Sequence, residues 1–348
     1  MGLSVADARP ALETFLAQQT AAVRADISAL APLSGGTLHE NWRLVVDFDG
    51  GSLAGRQTLV LRADRPVCLA SSLSRGQELC VMQRVREAGV QVPEVLWAAG
   101  ADGPLGRDFF VMRWLPGTAA PDEIIAHQAR TGTGKRLASR LGAELGLIQR
   151  VRPESGDLPF LKPPARDRAQ ALVDDTRAYL DTLSTPRPAI EWGLRWLELN
   201  KPPATESVLT HGDFRTGNYL MDDEGLVAIL DWELAAWGHP LEDLGWFCMR
   251  FWRLDAVHQT AGGLAQREDL VGGYVQTSGR RVTREDLHYW EVMANVRWAA
   301  ISIQQAERHL RGSDKSLELC LTGRRTAEME LEFLQLIAAG AGGKDCHA

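Results

Sequence analysis

The chain of 348 residues predicts an α+β fold of two lobes, a small antiparallel-sheet N-lobe over 1–115 and a larger, mainly helical C-lobe over 116–338. Three observations carry this. The length exceeds what one hydrophobic core usually organises. Short apolar runs separated by Gly-rich turns fill the first lobe, which is the mark of strands. Beyond residue 120 apolar side chains recur at helical spacing over long stretches.

In chain order, Leu12, Phe15, Leu16, Val23 and Ile27 share a helical stripe that predicts a helix over 9–30. WRLVVDF and TLVLRA read as strands joined by the Gly-rich loop DGGSLAG. A helix is expected at 74–88, ending at Gly89, then strands in VPEVLWAAG and DFFVMRWLPG, the second stopped by Pro116-Gly117. Helical patterns follow at 135–151, 165–182, 188–199, 241–252, 283–311 and 316–338. Between them lies a β-rich island at 208–233, with VLT, NYLM and VAILD as short strands of a hairpin-like insert. The Gly-rich stretch 339–348 reads as a flexible tail.

The formal net charge of −7 argues against a nucleic-acid partner, which calls for a basic face. No run of eighteen apolar residues indicates a membrane span, and the N-terminus lacks the basic-then-apolar pattern of a secretory signal. Ala6 stands where a myristoylation motif wants Ser or Thr. The cysteines Cys68, Cys80, Cys248, Cys320 and Cys346 are odd in number and widely spaced, as expected of reduced thiols in a cytoplasmic protein. TGTGKR at 131–136 lacks the spacing of a P-loop, and neither HExxH nor GxSxG occurs.

The strongest chemical signal is His211-Gly212-Asp213-Phe214-Arg215-Thr216-Gly217-Asn218, followed after two short strands by Asp231-Trp232-Glu233. Asp213 leaves one strand, Asn218 opens the next and Asp231 ends the third, so the three polar groups are expected to converge at one end of a small sheet. Phosphoryl transfer needs such a set: one carboxylate to orient the attacking hydroxyl and take its proton, and one amide oxygen with one carboxylate to hold magnesium on the phosphates. Magnesium takes hard oxygen ligands and needs few from protein, because phosphate and water complete its shell.

These motifs resemble the catalytic loop and metal-binding aspartate of the aminoglycoside phosphotransferase family, which has the protein-kinase-like fold. The order of motifs extends the resemblance over roughly 30–335. It implies an ATP-dependent kinase, with GTP left open, in which Asp213 is the catalytic base and Asn218 and Asp231 bind Mg2+. His211 and Asp243 would brace the loop. LSGGTLHENWRLVV resembles the phosphate-covering loop, with Gly35 and Gly36 letting backbone amides approach the phosphates. Arg62 takes the place where protein kinases carry a lysine, and Glu78 stands where the partner carboxylate is found. Branches related to the kinase-like domains joined to acyl-CoA dehydrogenases are similar in using arginine there. FFVMRWLPG resembles the hinge, with Met112 behind the adenine and the backbones of Arg113 and Leu115 at its edge. His239 stands where relatives often have Asp.

The acceptor is expected to meet the helical lobe near Trp237, Trp246, Arg250, Trp252 and Arg253, with Arg297, Trp298, Gln304 and Arg308 adding to the wall. Arginine and tryptophan in place of clustered carboxylates favour an anionic or hydroxyacyl hydroxylated small molecule over a cationic one. A regulatory pseudokinase and an aminoglycoside-type antibiotic kinase are the competing readings. A protein kinase is disfavoured, since no long activation segment or APE-like element follows Asp231.

Overall fold

The structure, a computed structural model, describes residues 4–33, 39–64, 72–164, 167–312 and 316–341. In chain order the elements are α1 (Arg9–Thr20), β1 (Arg24–Pro32), β2 (His39–Asp49), β3 (Gly55–Asp64), α2 (Arg75–Glu87), β4 (Val95–Ala99), β5 (Phe109–Arg113), α3 (Pro121–Thr131), α4 (Gly134–Ile148), α5 (Arg168–Leu180), α6 (Pro188–Leu199), β6 (Val208–Thr210), β7 (Tyr219–Asp222), β8 (Gly225–Ile229), β9 (Ala236–Gly238), α7 (Glu242–Cys248), α8 (Arg267–Ser278), α9 (Arg284–Leu310), α10 (Leu317–Arg324) and α11 (Thr326–Ala341). Single 3₁₀ turns lie at Pro153–Ser155, Trp232–Leu234 and Arg250–Arg253. The chain divides into two compact units, Met1–Ala120 with Tyr219–Ala235, and Pro121–Asn218 with Ala236–Ala348.

The first unit is an antiparallel sheet in the order β1-β2-β3-β5-β4. Strand alternation sends Ile27, Leu44, Val46, Leu59, Leu61, Phe109 and Val111 into one core, which Leu12 and Leu16 of α1 close. The expected helix over 9–30 stops at Thr20: Ala21 turns left-handed (φ 54°) and its amide caps the helix on the carbonyls of Ala17 and Gln18. Ile27 belongs to β1 and Val23 is exposed, because their match to the helical stripe is outweighed by pairing of Arg24–Pro32 with β2. Helix α2 begins where Ser74 and Gln77 form a capping box, each side chain accepting the other's backbone N–H. The β7–β8 hairpin packs with this unit through a Thr118–Met221 bridge and an Ile229 N–H to Gln91 carbonyl bond of 2.7 Å.

The second unit is helical around α9, whose Trp290, Val292, Met293, Val296, Ala299 and Ile303 are buried. It packs against α7, α10 and α11. Helices α4 and α8 cross at backbone contact. A Cβ on Gly142 would strike the Leu270 carbonyl oxygen, and one on Gly273 the Ser139 carbonyl oxygen. Backbone cannot give way as a side-chain end can, so Gly273→Ala is expected to cost about 3 kcal/mol of stability. Urea unfolding checks this as a lowered midpoint at unchanged slope.

Three sequence expectations are corrected in this unit and one in the hairpin. The helix expected at 241–252 breaks at Met249, which is extended (ψ 137°), giving α7 and a 3₁₀ turn. The single helix expected at 316–338 is two, α10 and α11, and α11 runs to Ala341. Helices α3 and α8 have no counterpart in the sequence reading. VLT does not join the hairpin of NYLM and VAILD. It pairs as β6 with β9, Val208 opposite Gly238 and Thr210 opposite Ala236, so the three runs are divided between two separate two-stranded sheets, with β9 as the fourth strand.

Candidate active site

In the second unit, β6 delivers the chain into the loop 211–218. Gly212 (φ 85°) and Gly217 (φ 110°) turn left-handed where a side chain would be strained. Asp243, buried on α7, holds the loop entrance by accepting the backbone N–H of His211 at 2.7 Å and of Gly212 at 3.0 Å. Burial raises the Asp243 carboxyl above its usual range, and the two amide donors oppose that rise. His211 is fully buried, and its Nδ1 accepts the Asp213 N–H at 3.3 Å. Thr216 Oγ1 anchors the far side of the loop on the Gly262 carbonyl at 2.7 Å.

Asp213 stays partly exposed and receives three side-chain donors. Trp246 Nε1 lies 2.8 Å from Oδ1, while Arg215 Nε (3.0 Å) and Asn218 Nδ2 (2.7 Å) both reach Oδ2. Asn218 Nδ2 also bonds the Asp213 carbonyl at 2.9 Å. The Asn218 amide thereby spends its donor end on the loop and leaves Oδ1 uncommitted among the described residues, as a hard oxygen ligand requires. Arg215 was not singled out from sequence, although its place two residues after Asp213 was the available signal.

In the first unit, Asp231 follows β8 in the left-handed region (φ 67°), a conformation that costs a non-glycine residue and persists where the surroundings hold it. Its Oδ1 is ion-paired with Arg62 Nη2. Arg62 sits mid-strand on β3, opposite Asn41 and Phe110, and its Nε is 3.5 Å from Glu78 Oε2. Sequence reading missed Arg75, which is 1% exposed and also pairs with Glu78. Its Nε lies 2.8 Å from Asp64, and its Nη2 is 3.8 Å from Glu233 and 2.8 Å from the Leu73 carbonyl. The sequence signal was Arg75 three residues before Glu78 at the start of the expected helix, one turn away on the same face. Burial, with Arg62 nearby, lowers the Arg75 pKa, so this cation is held at an electrostatic cost. Removing it strands the buried Glu78 carboxylate, and Arg75→Met is expected to destabilise the fold by about 3–5 kcal/mol, read as a lower thermal midpoint.

Two arginines thus face four carboxylates, Asp64, Glu78, Asp231 and Glu233. The four carboxylates leave an excess of negative oxygen over the two arginines, and oxygen is the donor type a hard divalent cation takes. Among the described residues no group of three or more His, Cys, Asp or Glu is arranged to hold a metal by itself.

The remaining sequence-named positions divide. Gly35 and Gly36 lie outside the described residues. Met112 is half-buried on β5, opposite Val60 and Val95. The Arg113 amide is committed to the Glu94 carbonyl at 2.9 Å, whereas Leu115 has no backbone partner among the described residues. Of the supposed acceptor wall, Trp246, Trp252 and Trp298 pack together with ring centroids 5.1–5.9 Å apart. Phe251 joins them, and Arg215 stacks over Trp252 at 4.9 Å. Of the others, all but Arg297 lie elsewhere. Trp237 is buried with Nε1 on the Leu161 carbonyl. Arg253 is buried on the carbonyls of Cys248 and Val257, and Arg250 pairs with Glu332. Gln304 is exposed, and Arg308 bonds Gln305. Arg297 lies over Trp246 at 5.7 Å and near Glu242 at 3.9 Å.

His239 also gains an account. Its Nδ1 accepts the Leu241 N–H at 3.1 Å, the bond an aspartate side chain makes to the amide two residues on, and its ring stacks on Trp290. Burial pushes its pKa down to about 4. The unfolded imidazole takes up a proton near 6.5, the folded one only near 4, so between these values the unfolded state binds more protons and stability falls as pH drops. Urea midpoints at pH 7 and pH 5 are expected to differ more in the wild type than in His239→Asn.

The five-stranded antiparallel sheet followed by helices is the kinase-like phosphotransferase fold. A model of the Phosphotransferase enzyme family matches residues 29–283, and the chain belongs to that family. Acyl-CoA dehydrogenase family member 11 of Gallus gallus is 28% identical over 275 residues, 74% of this chain and 35% of that one. The chain spans 24–38% of the length of the acyl-CoA dehydrogenase family members 10 and 11 it matches. A Ralstonia eutropha protein assigned as an aminoglycoside phosphotransferase superposes with a TM-score of 0.68 at 21% identity, covering 94% of this chain and 98% of that one. A thermostable mutant of the aminoglycoside phosphotransferase APH(4)-Ia, solved with AMP-PNP and hygromycin B, has a TM-score of 0.57 at 19% identity over 92% and 98%.

Proposed function

We propose that the chain transfers the γ-phosphoryl group of ATP to a hydroxyl of a small hydroxyacyl acceptor. The observation that carries this is the Asp213 carboxylate, partly exposed and fixed by three donors in a loop whose Asn218 keeps its amide oxygen available. Asp213 is the base, Asn218 and Asp231 are the Mg2+ ligands, and Arg62 with Glu78 serves the nucleotide phosphates. Bound Mg2+ would neutralise phosphate charge. The protein's own part is to hold the hydroxyl and receive its proton.

The acceptor class rests on two supports. The Asp213 carboxylate meets the Trp246 indole and Arg215, which Trp252 and Trp298 back, and this aromatic and cationic surround is ill suited to a polycationic antibiotic. Relatives that match by sequence carry the name acyl-CoA dehydrogenase family member, and acyl-CoA is an acyl thioester. A cytoplasmic setting accords with Cys80, Cys248 and Cys320, which are free thiols. No helix among the described residues is long and apolar enough to cross a membrane.

The test supplies ATP and Mg2+ with parallel panels of hydroxyacyl-CoA thioesters, free hydroxy acids and aminoglycosides, and reads phosphorylated product by mass spectrometry. Product in the hydroxyacyl panel is expected. Product confined to aminoglycosides would overturn the acceptor assignment. The ion pair of Arg62 with Asp231 favours one competing reading, a regulatory pseudokinase, because the arginine occupies the carboxylate a metal needs. That reading predicts equal stabilisation by ATP with or without Mg2+ and no ADP formation.

A further inference from the structure

We infer that Trp246 is a positioning residue that leaves Asp213 a single open acceptor position, on Oδ1, and so fixes where the hydroxyl of the acceptor must lie. This rests on the kinase reading above. A carboxylate offers about four lone-pair sites, two on each oxygen. Arg215 and Asn218 fill both sites on Oδ2, and the Trp246 indole N–H fills one on Oδ1. All Asp213 partners among the described residues are thereby counted, and one site on Oδ1 remains.

The choice has a chemical consequence. As the acceptor oxygen bonds to the γ-phosphorus, the bond from phosphorus to the bridging oxygen breaks and its electron pair leaves with ADP. The hydroxyl proton passes to Asp213 Oδ1. In a loose transition state proton removal lags behind bond breaking, so where Asp213 holds the hydroxyl matters more than how early it takes the proton. Arg215, 3.0 Å from the carboxylate and braced on the Trp252 ring, supplies positive charge beside the group that receives the phosphoryl.

An Oδ1 reached beside an indole also sets specificity. Trp246 is buried and packs on Trp252 and Trp298 at 5.9 and 5.7 Å between ring centroids. An apolar group held between two rings needs them about 7 Å apart, twice a carbon–carbon contact. The rings are closer than that, so the cluster is a packed wall and not a cage for a quaternary ammonium group. The carbon bearing the acceptor hydroxyl therefore meets an aromatic edge, which suits an aliphatic chain.

The test uses the full chain and has two arms. Indole 15N–1H spectra of the wild type are compared with Trp246→Phe, which identifies the resonance by its loss, and with Asp213→Ala. The Trp246 signal is expected downfield of free indoles, slow to exchange, and moved by Asp213→Ala. A signal indifferent to Asp213→Ala would overturn the inference even where Trp246→Phe fails to fold. The second arm measures phosphorylated product against inorganic phosphate with ATP, Mg2+ and 3-hydroxybutyryl-CoA. Trp246→Phe is expected to lower that ratio about tenfold or more through kcat, with KM for ATP held, because the hydroxyl is no longer confined to one geometry. An unchanged ratio, or an equal loss of both products, would overturn it. If the wild type yields no phosphorylated product at all, the kinase reading falls on that ground alone, while the spectra still report whether the indole holds Asp213.

Discussion

Asp213→Ala is expected to lower phosphoryl transfer by about a thousandfold or more, in the range that loss of a positioned general base produces, and to leave nucleotide affinity within about threefold. The separation follows from where the residue sits. Asp213 is tied to Trp246, Arg215 and Asn218 inside the helical unit, whereas Arg62, Glu78 and Leu115 belong to the first unit. Steady-state kinetics with coupled ADP detection, and nucleotide titration followed by thermal shift, read the two quantities. Asp213→Asn sharpens the result, because it keeps the volume and removes the charge that draws the proton. Transfer at the wild-type rate in either variant would remove Asp213 from the mechanism.

Asp231→Ala has the second large effect. The wild type is expected to gain thermal stability from ATP only when Mg2+ is present, and the variant to lose that dependence. The substitution also frees Arg62 from that ion pair and leaves its 3.5 Å approach to Glu78 in place. Nucleotide without metal is expected to bind the variant at least as well as the wild type, since the arginine released from Asp231 becomes available to phosphate. Magnesium-dependent stabilisation that survives in Asp231→Ala would show that the metal is held elsewhere.

The β-rich island and the loop 211–218 were legible because short-range signals agree there. Turn residues bound each run, and polar groups fall at strand ends. Strands β2 to β5 of the first unit were legible for the same reason, as alternation and glycine turns are local, whereas β1 was read as helix. What escaped was set by distance along the chain. Nothing near VLT says that its partner is Ala236–Gly238 and not the adjacent hairpin. The end of α1 depends on one left-handed alanine and on the pull of β2, while the apolar stripe runs on through Val23 and Ile27. Arg75 looked like an ordinary first-turn residue, and its burial follows only from Asp64, Glu78 and Glu233 meeting around it. Trp246 was named for an acceptor wall, yet its bond to Asp213 bridges 33 residues of sequence and carries no local signature.

The central claim is transfer of the terminal phosphoryl group of ATP to a carbon-bound hydroxyl, and isotopic tracing measures it most directly. ATP carrying 18O on its γ-phosphoryl oxygens is incubated with Mg2+, the full chain and the hydroxyacyl panel, and products are read by mass spectrometry. The account predicts an acceptor carrying the labelled phosphoryl group in step with ADP, and neither in Asp213→Ala. Label found only in inorganic phosphate, or ATP recovered intact with every acceptor, would contradict it.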